Sequence, residues 1–313
     1  MERIEIISKV DKTFQPAMIQ PAQGGGERPL LVALHTWSYS CDQYYDGYAE
    51  LCRKRNWHLI FPEFRGPNMR PEACGSDLVV SDIEDAVEYM KKTVAVDNEK
   101  IYLVGGSGGG HCSLLMAGRR PDLWSAVSSW SPITDVEAWY HQSLNTQFDR
   151  YAKHIELVCG GTPAEKSDFA ENCRKRSPLT YLDNAKNLTI DISSGIHDGH
   201  IGSVQVSHAI NAFNILAANE DKIYHEDIDY IVKNEKIPPH LQSPVIQDPA
   251  FNGKEIYFRR QSKNVRLTLF EGGHELLPSP AMQFLAKQSR SGKNDWSNGI
   301  SAATPTQTTE LSH

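Results

Sequence analysis

Apolar residues along this chain fall into two alternating spacings. A continuous apolar run occurs at Leu30–Leu34 and a short one at Ile101–Val104, and Trp57–Phe61, Ser125–Trp130 and Leu188–Ile192 read as further strands. Runs of this kind are expected of parallel strands buried on both faces. Between them the apolar positions follow a helical period. Ile83, Ala86, Val87 and Met90 stand at i, i+3, i+4 and i+7, and Val206, Ile210, Phe213 and Ala217 mark one face of a helix over Ser203–Ala218. Ser81-Asp82-Ile83-Glu84 reads as a capping box opening the first of these helices, with Ser81 at its N-cap. A further helix is expected over roughly Gln43–Arg55. Two strands, Ile4–Val10 and Thr13–Gln20, precede the loop Gly24–Gly26. A hairpin-like pair, Glu255–Arg260 and Val265–Phe270, comes late in the chain. Strands alternating with helices predict an α/β architecture, with a mostly parallel sheet flanked by helices on both faces.

Two stretches interrupt the alternation. Residues 134–187 are irregular, aromatic and charged, and read as a partly helical insertion over the sheet. Residues 220–249 form a second insertion. Beyond Ser289 the chain turns polar and rich in Ser and Thr, the composition of a flexible tail. The expected organisation is therefore one domain over 1–288 and a tail over 289–313.

Composition narrows the function classes. A chain of 313 residues with a 40% hydrophobic fraction is long enough for one large core. The net charge of −7 disfavours nucleic acid. No apolar run approaches the ~18 residues of a membrane span. The start, Met1-Glu2-Arg3-Ile4, has no signal-peptide core, which points to the cytoplasm; a secreted chain already trimmed of its leader stays open. The six cysteines show no C-x-x-C spacing, so no metal and no cofactor is expected. Most are read as free thiols, with one or two disulfides left open.

The candidate chemistry sits in Ile101–Cys112, where five glycines surround Ser107. A P-loop would need Lys and Ser/Thr after Gly110, but His111 and Cys112 follow. No register fits the dinucleotide-binding glycine pattern. Gly105-Gly106-Ser107-Gly108-Gly109 fits G-x-S-x-G, the nucleophile elbow of α/β-hydrolases, between a β-rich run and a helix ended by Arg119-Arg120-Pro121.

A serine hydroxyl needs a base to take its proton, and the base needs a carboxylate to fix its tautomer. In this fold the chain order is Ser, acid, His. His274 follows the last apolar strand in a Gly-Gly-His-Glu turn and is the expected base. Asp198 follows the strand Leu188–Ile192 and is the expected acid, with Asp135 the runner-up. The oxyanion donors are expected from the backbone of Gly108 and of the loop after Leu34, Trp37 first and Thr36 as its alternative. Trp130, Trp139 and Tyr140 stand equally as pocket lining or as packing for the insertion. Arg65 is a candidate for a substrate carboxylate or, preferably, for a loop tie.

Leu34-His35-Thr36-Trp37, Phe64-Arg65-Gly66, Gly105-x-Ser107-x-Gly109, Gly195-x-x-Asp198 and Gly273-His274 together resemble the catalytic domain of the prolyl oligopeptidase family, within the α/β-hydrolase superfamily. The resemblance spans roughly residues 28–288 and implies a serine hydrolase with Ser107, Asp198 and His274 as its triad. Two features depart from the family. About 28 residues precede the domain where family members carry a β-propeller, and the loop His35-Thr36-Trp37 lacks the double glycine common among them. Stand-alone domains of this type are often esterases. The expected activity is therefore hydrolysis of short-chain, aryl or carbohydrate-linked acyl esters. The alternatives are a peptidase acting on small peptides and a non-catalytic binding protein of the same fold. The expected partner is a small-molecule or carbohydrate ester substrate, and a homo-oligomer stays open.

Overall fold

The computed structural model describes residues 1–43, 46–242, 244, 246–297 and 300–301. The hairpin β1 (Glu2–Ile7) and β2 (Phe14–Gln20) opens the chain, followed by β3 (Arg28–Leu34), α1 (Asp46–Arg55), β4 (His58–Pro62), α2 (Asp77–Thr93), β5 (Val96–Gly106) and α3 (Gly108–Arg119). Then come β6 (Ala126–Trp130), three helices α4 (Val136–Ser143), α5 (Asp149–Cys159) and α6 (Phe169–Arg176), β7 (Thr189–Gly195) and α7 (Ser207–Leu216). The chain continues through α8 (His225–Asn234), β8 (Ile246–Gln247), β9 (Ile256–Ser262), β10 (Val265–Phe270), α9 (Pro278–Leu285) and β11 (Ile300–Ser301).

The described strands form one sheet in the order β1-β2-β4-β3-β5-β6-β7-β10-β9-β8-β11. Its centre, from β4 to β10, is parallel, and both flanks are antiparallel. The apolar runs at Leu30–Leu34 and Ile101–Val104 lie in β3 and β5, while β6 and β7 bury serines and Asp191 among their apolar residues. Alternate residues serve opposite faces: Leu30, Val32 and Leu34 of β3 join the core under α2, α3 and α7, while Leu31 and Ala33 join the core under α1 and α9. Parallel order puts the carboxyl ends of β3, β5, β6, β7 and β10 along one edge, where α/β sheets place their ligands.

The helix after β4 starts earlier than the sequence suggests. Ser76, not Ser81, is the N-cap of α2, and its side chain accepts from the Val79 N–H at 3.3 Å. The apolar stripe extends back to Val79 and Val80, so Ser81 lies buried one turn inside. Of the expected helix over Gln43–Arg55, Tyr44 and Tyr45 lie outside the described residues, and α1 begins at Asp46.

The expected flexible tail also differs over 289–297. Arg290 donates to the carbonyls of Asn98, Asp122 and Leu123, Ser291 binds the Glu99 carboxylate, and Trp296 stacks on Phe284 at 5.5 Å. Polar side chains dock this segment, so it leaves no apolar periodicity to read. Residues 298–299 and 302–313 lie outside the described ones. All six cysteines are buried thiols. No described helix is long and apolar enough to cross a membrane.

Two buried histidines tie the insertion to the domain. His208 Nδ1 accepts from the Thr134 N–H at 3.2 Å, while its Nε2 faces Gln142 Oε1 at 2.9 Å. His111 Nε2 lies 2.7 Å from the Arg176 carbonyl. Burial pushes both imidazoles down to about 4. An unfolded histidine titrates near ~6.5. Between those values the unfolded chain binds more protons than the folded one, so stability falls as pH drops through that window. Unfolding free energies measured from pH 7 to 5, read from the denaturation midpoints, should fall by up to ~1.4 kcal/mol per pH unit for each histidine. His208→Asn should flatten part of that slope. A wild-type midpoint flat over this range contradicts the neutral, buried state of both.

Candidate active site

Ser107 occupies the sharp turn between β5 and α3, at φ 58° and ψ −120°. A residue other than glycine held there stores backbone strain. The turn is tight because three backbones meet. A Cβ on Gly105 would lie 2.2 Å from the Gly109 carbonyl oxygen, and one on Gly109 would lie 2.4 Å from that of Leu34. No side chain fits at either point, which explains the glycines on both sides of the serine. The Ser107 N–H donates to the Trp130 carbonyl at 2.9 Å, fixing the turn against the end of β6.

His274 follows β10, and its Nδ1 donates to Asp198 Oδ2 at 2.8 Å. That bond leaves Nε2 as the free nitrogen of the ring. The Asp198 side chain is fully buried and also accepts from the N–H groups of Gly199 at 3.0 Å and Val204 at 3.2 Å. Ser107 and His274 border one pocket of about 190 Å³, together with Thr36, Ser131 and Leu276. Asp135 is placed elsewhere: it caps α4 and accepts from the Ala138 N–H at 3.0 Å.

Thr36 and Trp37 separate on geometry. The Thr36 N–H donates to Gln43 Oε1 at 2.8 Å and is committed. The Trp37 nitrogen lies beside Gly108, 2.4 Å from where a Cβ of that glycine would stand. The Trp37 backbone therefore packs directly against Gly108 at the head of α3.

Burial gives Trp130, Trp139 and Tyr140 the packing role of their two alternatives, and Arg65 the loop tie preferred for it. Trp130 is fully enclosed between Phe251 and Phe270, and its Nε1 donates to Ser128 Oγ. Trp139 packs edge-on against Trp37 at 4.7 Å and donates to the Ser203 carbonyl. Tyr140 donates to Glu156 and packs on Phe169. Arg65 is buried and bonds Asp82, Asp11 and Ser8, pinning the β1–β2 turn to α2. Hydrogen bonds to both carboxylates outweigh burial and hold the Arg65 guanidinium above its ordinary pKa.

Sequence reasoning passed over Ser131 and Leu276, which border the pocket, although both directly follow features it singled out: the end of β6 and the Gly-His turn. His197 lies between Glu235 at 2.6 Å and Glu271 at 3.3 Å, linking the acid loop to the end of β10. Burial lowers its pKa, but the two carboxylates prevail and hold it above the usual histidine range.

The sheet order, the elbow and the acid–histidine pair define an α/β-hydrolase. Residues 76–229 match the model of the prolyl oligopeptidase family. That match takes in Ser107 and Asp198, while His274 is placed by the fold. Acylamino-acid-releasing enzyme 1 of Oryza sativa subsp. japonica is 23% identical over 194 residues, covering 54% of this chain and 24% of that protein. Dipeptidyl aminopeptidase BIII of Pseudoxanthomonas mexicana is 24% identical over 240 residues, covering 68% of this chain and 33% of its own. The structure of Pyrococcus horikoshii acylaminoacyl peptidase superposes with a TM-score of 0.63 at 16% identity, over 94% of this chain and 42% of that one. Over residues 76–229 the chain is thus similar to the prolyl oligopeptidase family. It spans about a quarter to a third of the length of these curated relatives.

Two substitutions test the placements. Asp198→Asn should lower kcat on an activated ester by ~10³–10⁴, since an amide no longer selects the imidazole tautomer. Asp135→Asn should cost less than about tenfold, because asparagine caps a helix equally well. Comparable losses would detach the acid role from Asp198. Arg65→Ala should destabilise the fold by ~3–5 kcal/mol, as expected when one partner of a buried ion pair is removed, with KM of the folded protein unchanged. A raised KM at unchanged stability would return Arg65 to the substrate.

Proposed function

We propose that this chain is a serine hydrolase working through an acyl-enzyme on Ser107. The observation that carries the reading is the Asp198–His274 bond, with His274 and Ser107 facing one pocket. His274 Nε2 takes the hydroxyl proton as Ser107 Oγ attacks the substrate carbonyl. The developing alkoxide sits against the N–H groups of Gly108 and Trp37, each worth ~10²–10³ in rate by analogy with other oxyanion donors. As the tetrahedral adduct collapses, His274 returns the proton to the departing amine or alcohol. Water, activated by the same imidazole, then releases the acid and restores Ser107. Asp198 stays ionised throughout and stabilises the imidazolium that forms in each half.

The substrate class we favour is the amide bond of short, acylated or peptide-like compounds. Support comes from the similar proteins reported above, each named for aminopeptidase, acylaminoacyl peptidase or acylamino-acid-releasing activity. Ester hydrolysis, which the sequence puts first, is the second reading. It is supported by the size of the pocket beside Ser107, about 190 Å³, which offers an extended peptide little enclosure of its own. Peptidases overcome amide resonance with binding energy realised in the transition state. A non-catalytic binding role has less support, because a buried carboxylate paired to an imidazole at the pocket of Ser107 serves no binding purpose.

A fluorophosphonate probe should label Ser107 and no other residue, and Ser107→Ala should lose activity by ~10⁴–10⁶. Labelling elsewhere sinks the hydrolase reading. Matched esters and anilides of one acyl group then separate the two substrate classes. An anilide cleaved within about tenfold of its ester, ~1.4 kcal/mol in barrier, supports amide hydrolysis. Ester turnover with no detectable anilide cleavage moves the reading to a carboxylesterase.

A further inference from the structure

Cys159 is the last residue of α5, and Cys173 lies within α6. Their Sγ atoms are 3.7 Å apart, across 14 residues of sequence. A disulfide bond is ~2 Å long, so closure asks for under ~2 Å of further approach. Both side chains sit in the small apolar core of the insertion, with Tyr140, Ile155 and Phe169. Cys173 is fully enclosed, while Cys159 keeps 7% exposure. A reagent from solvent therefore meets Cys159 first, with Cys173 directly beside it.

The segment between them is tied at several points. Gly160 ends α5 in the left-handed region at φ 77°, where glycine is the usual residue. The Gly161 N–H returns to the Glu156 carbonyl at 2.8 Å, and the Thr162 N–H and hydroxyl both donate to Glu165. At the far end the Cys173 carbonyl accepts from Ser177 Oγ at 2.8 Å. The two sulfurs thus face one another across a short, hydrogen-bonded turn.

The two thiols also differ in chemistry. Once Cys159 ionises, the Cys173 thiol donates a hydrogen bond to it. That bond holds Cys159 below its ordinary pKa against the effect of burial, with the Arg176 guanidinium assisting. The same contact, together with burial, pushes Cys173 up. Burial pushes the Cys41, Cys52, Cys74 and Cys112 thiols up as well. A thiolate is the form that reacts with oxidants, and an adjacent thiol resolves the product.

We propose that Cys159 and Cys173 are a redox modification site, at which a hydroperoxide converts the two thiols to a disulfide that staples α5 to α6. The Cys159 thiolate attacks one peroxide oxygen and breaks the O–O bond. This leaves a sulfenic acid on Cys159, and the departing oxygen takes up a proton. The Cys173 sulfur then attacks the Cys159 sulfur and forms the S–S bond, while the sulfenic oxygen leaves as water with the proton from Cys173. With hydrogen peroxide the balance is two thiols and one peroxide giving one disulfide and two waters. An external dithiol reverses it. The staple acts on α4 too, because Tyr140 of that helix donates to Glu156 of α5 and packs on Phe169 of α6.

The test starts from protein reduced with dithiothreitol and desalted, then exposed to hydrogen peroxide and alkylated with iodoacetamide in denaturant. The reduced control should carry six alkylated thiols and the oxidised protein four. A tryptic digest of the oxidised protein should contain peptide 154–166 joined to peptide 167–174. The oxidised protein should melt about 3–6 °C above the reduced one, and dithiothreitol should return it to the lower value. In Cys173→Ser, where nothing resolves the sulfenic acid, dimedone should tag Cys159 after peroxide. Six alkylated thiols after peroxide, or a disulfide between any other two cysteines, overturns the proposal. So does a melting temperature that fails to rise, or a folded Cys173→Ser that takes no dimedone at Cys159. If that variant does not fold, the peptide map and melting temperature of the wild type decide the matter alone.

Discussion

Contact between bare backbones at two crossings is the constraint on which the site depends. At the first crossing Gly105 and Gly109 let the end of β5, the head of α3 and the end of β3 approach to distances that no side chain permits. At the second, a Cβ on Gly195 would lie 2.2 Å from the Gly273 carbonyl oxygen, so the end of β7 meets the turn after β10 in the same way. The first crossing places Ser107, the proposed nucleophile, and the second places Asp198 and His274, the proposed acid and base. Both lie along one edge of the sheet, where parallel order has already gathered the strand ends. Strand order brings the three functional residues into one neighbourhood. The glycines bring them within reach of one another.

What the sequence reveals follows from this. Glycine at a crossing is a strong local signal, because its reason is steric and the same in any context. Ser107, Asp198 and His274 each stand just after an apolar run and beside such glycines, and the structure gathers all three. The central strands β3 and β5 are legible because burial on both faces favours apolar runs, whereas β6 and β7 are fully buried with serines and Asp191 in their sequence. The helix start at Ser76 was not, because Ser81 and Glu84 mimic a cap where the apolar stripe in fact continues one turn back. Nor was the docking of residues 289–297, held by Arg290, Ser291 and Asn294 through hydrogen bonds that leave no periodicity.

The aromatic residues show where pattern stops being informative. Trp130, Trp139 and Tyr140 look alike in sequence whether they line a pocket or fill a core. Their roles are decided by neighbours far away along the chain, such as Phe251 and Phe270 for Trp130 and Ser203 for Trp139. Arg65 differs in kind. Its two carboxylate partners, Asp11 and Asp82, are 54 and 17 residues away in sequence and meet it only once the sheet has formed.

Trp139 nonetheless bears on the chemistry from one layer out. The Trp37 side chain is enclosed by Trp139 on one side and His111 on another, with ring centroids at 4.7 and 6.0 Å, both edge-on. Packing of that kind restricts the ring, and the ring restricts the backbone that carries it. The Asn68 N–H adds a hydrogen bond to the Trp37 carbonyl at 2.8 Å, holding the same residue from the far side of its peptide. The proposed second oxyanion donor, the Trp37 N–H, is thereby aimed by the helical insertion rather than by a glycine-rich loop. This accounts for a loop after β3 that lacks the double glycine yet still presents a donor beside Gly108. Fixed donors stabilise a developing alkoxide because they need no reorientation as the charge forms. In this chain α4, through Trp139, supplies that rigidity. The insertion over the sheet therefore buttresses the loop that carries the proposed oxyanion donor, even though its aromatic side chains stay out of the pocket.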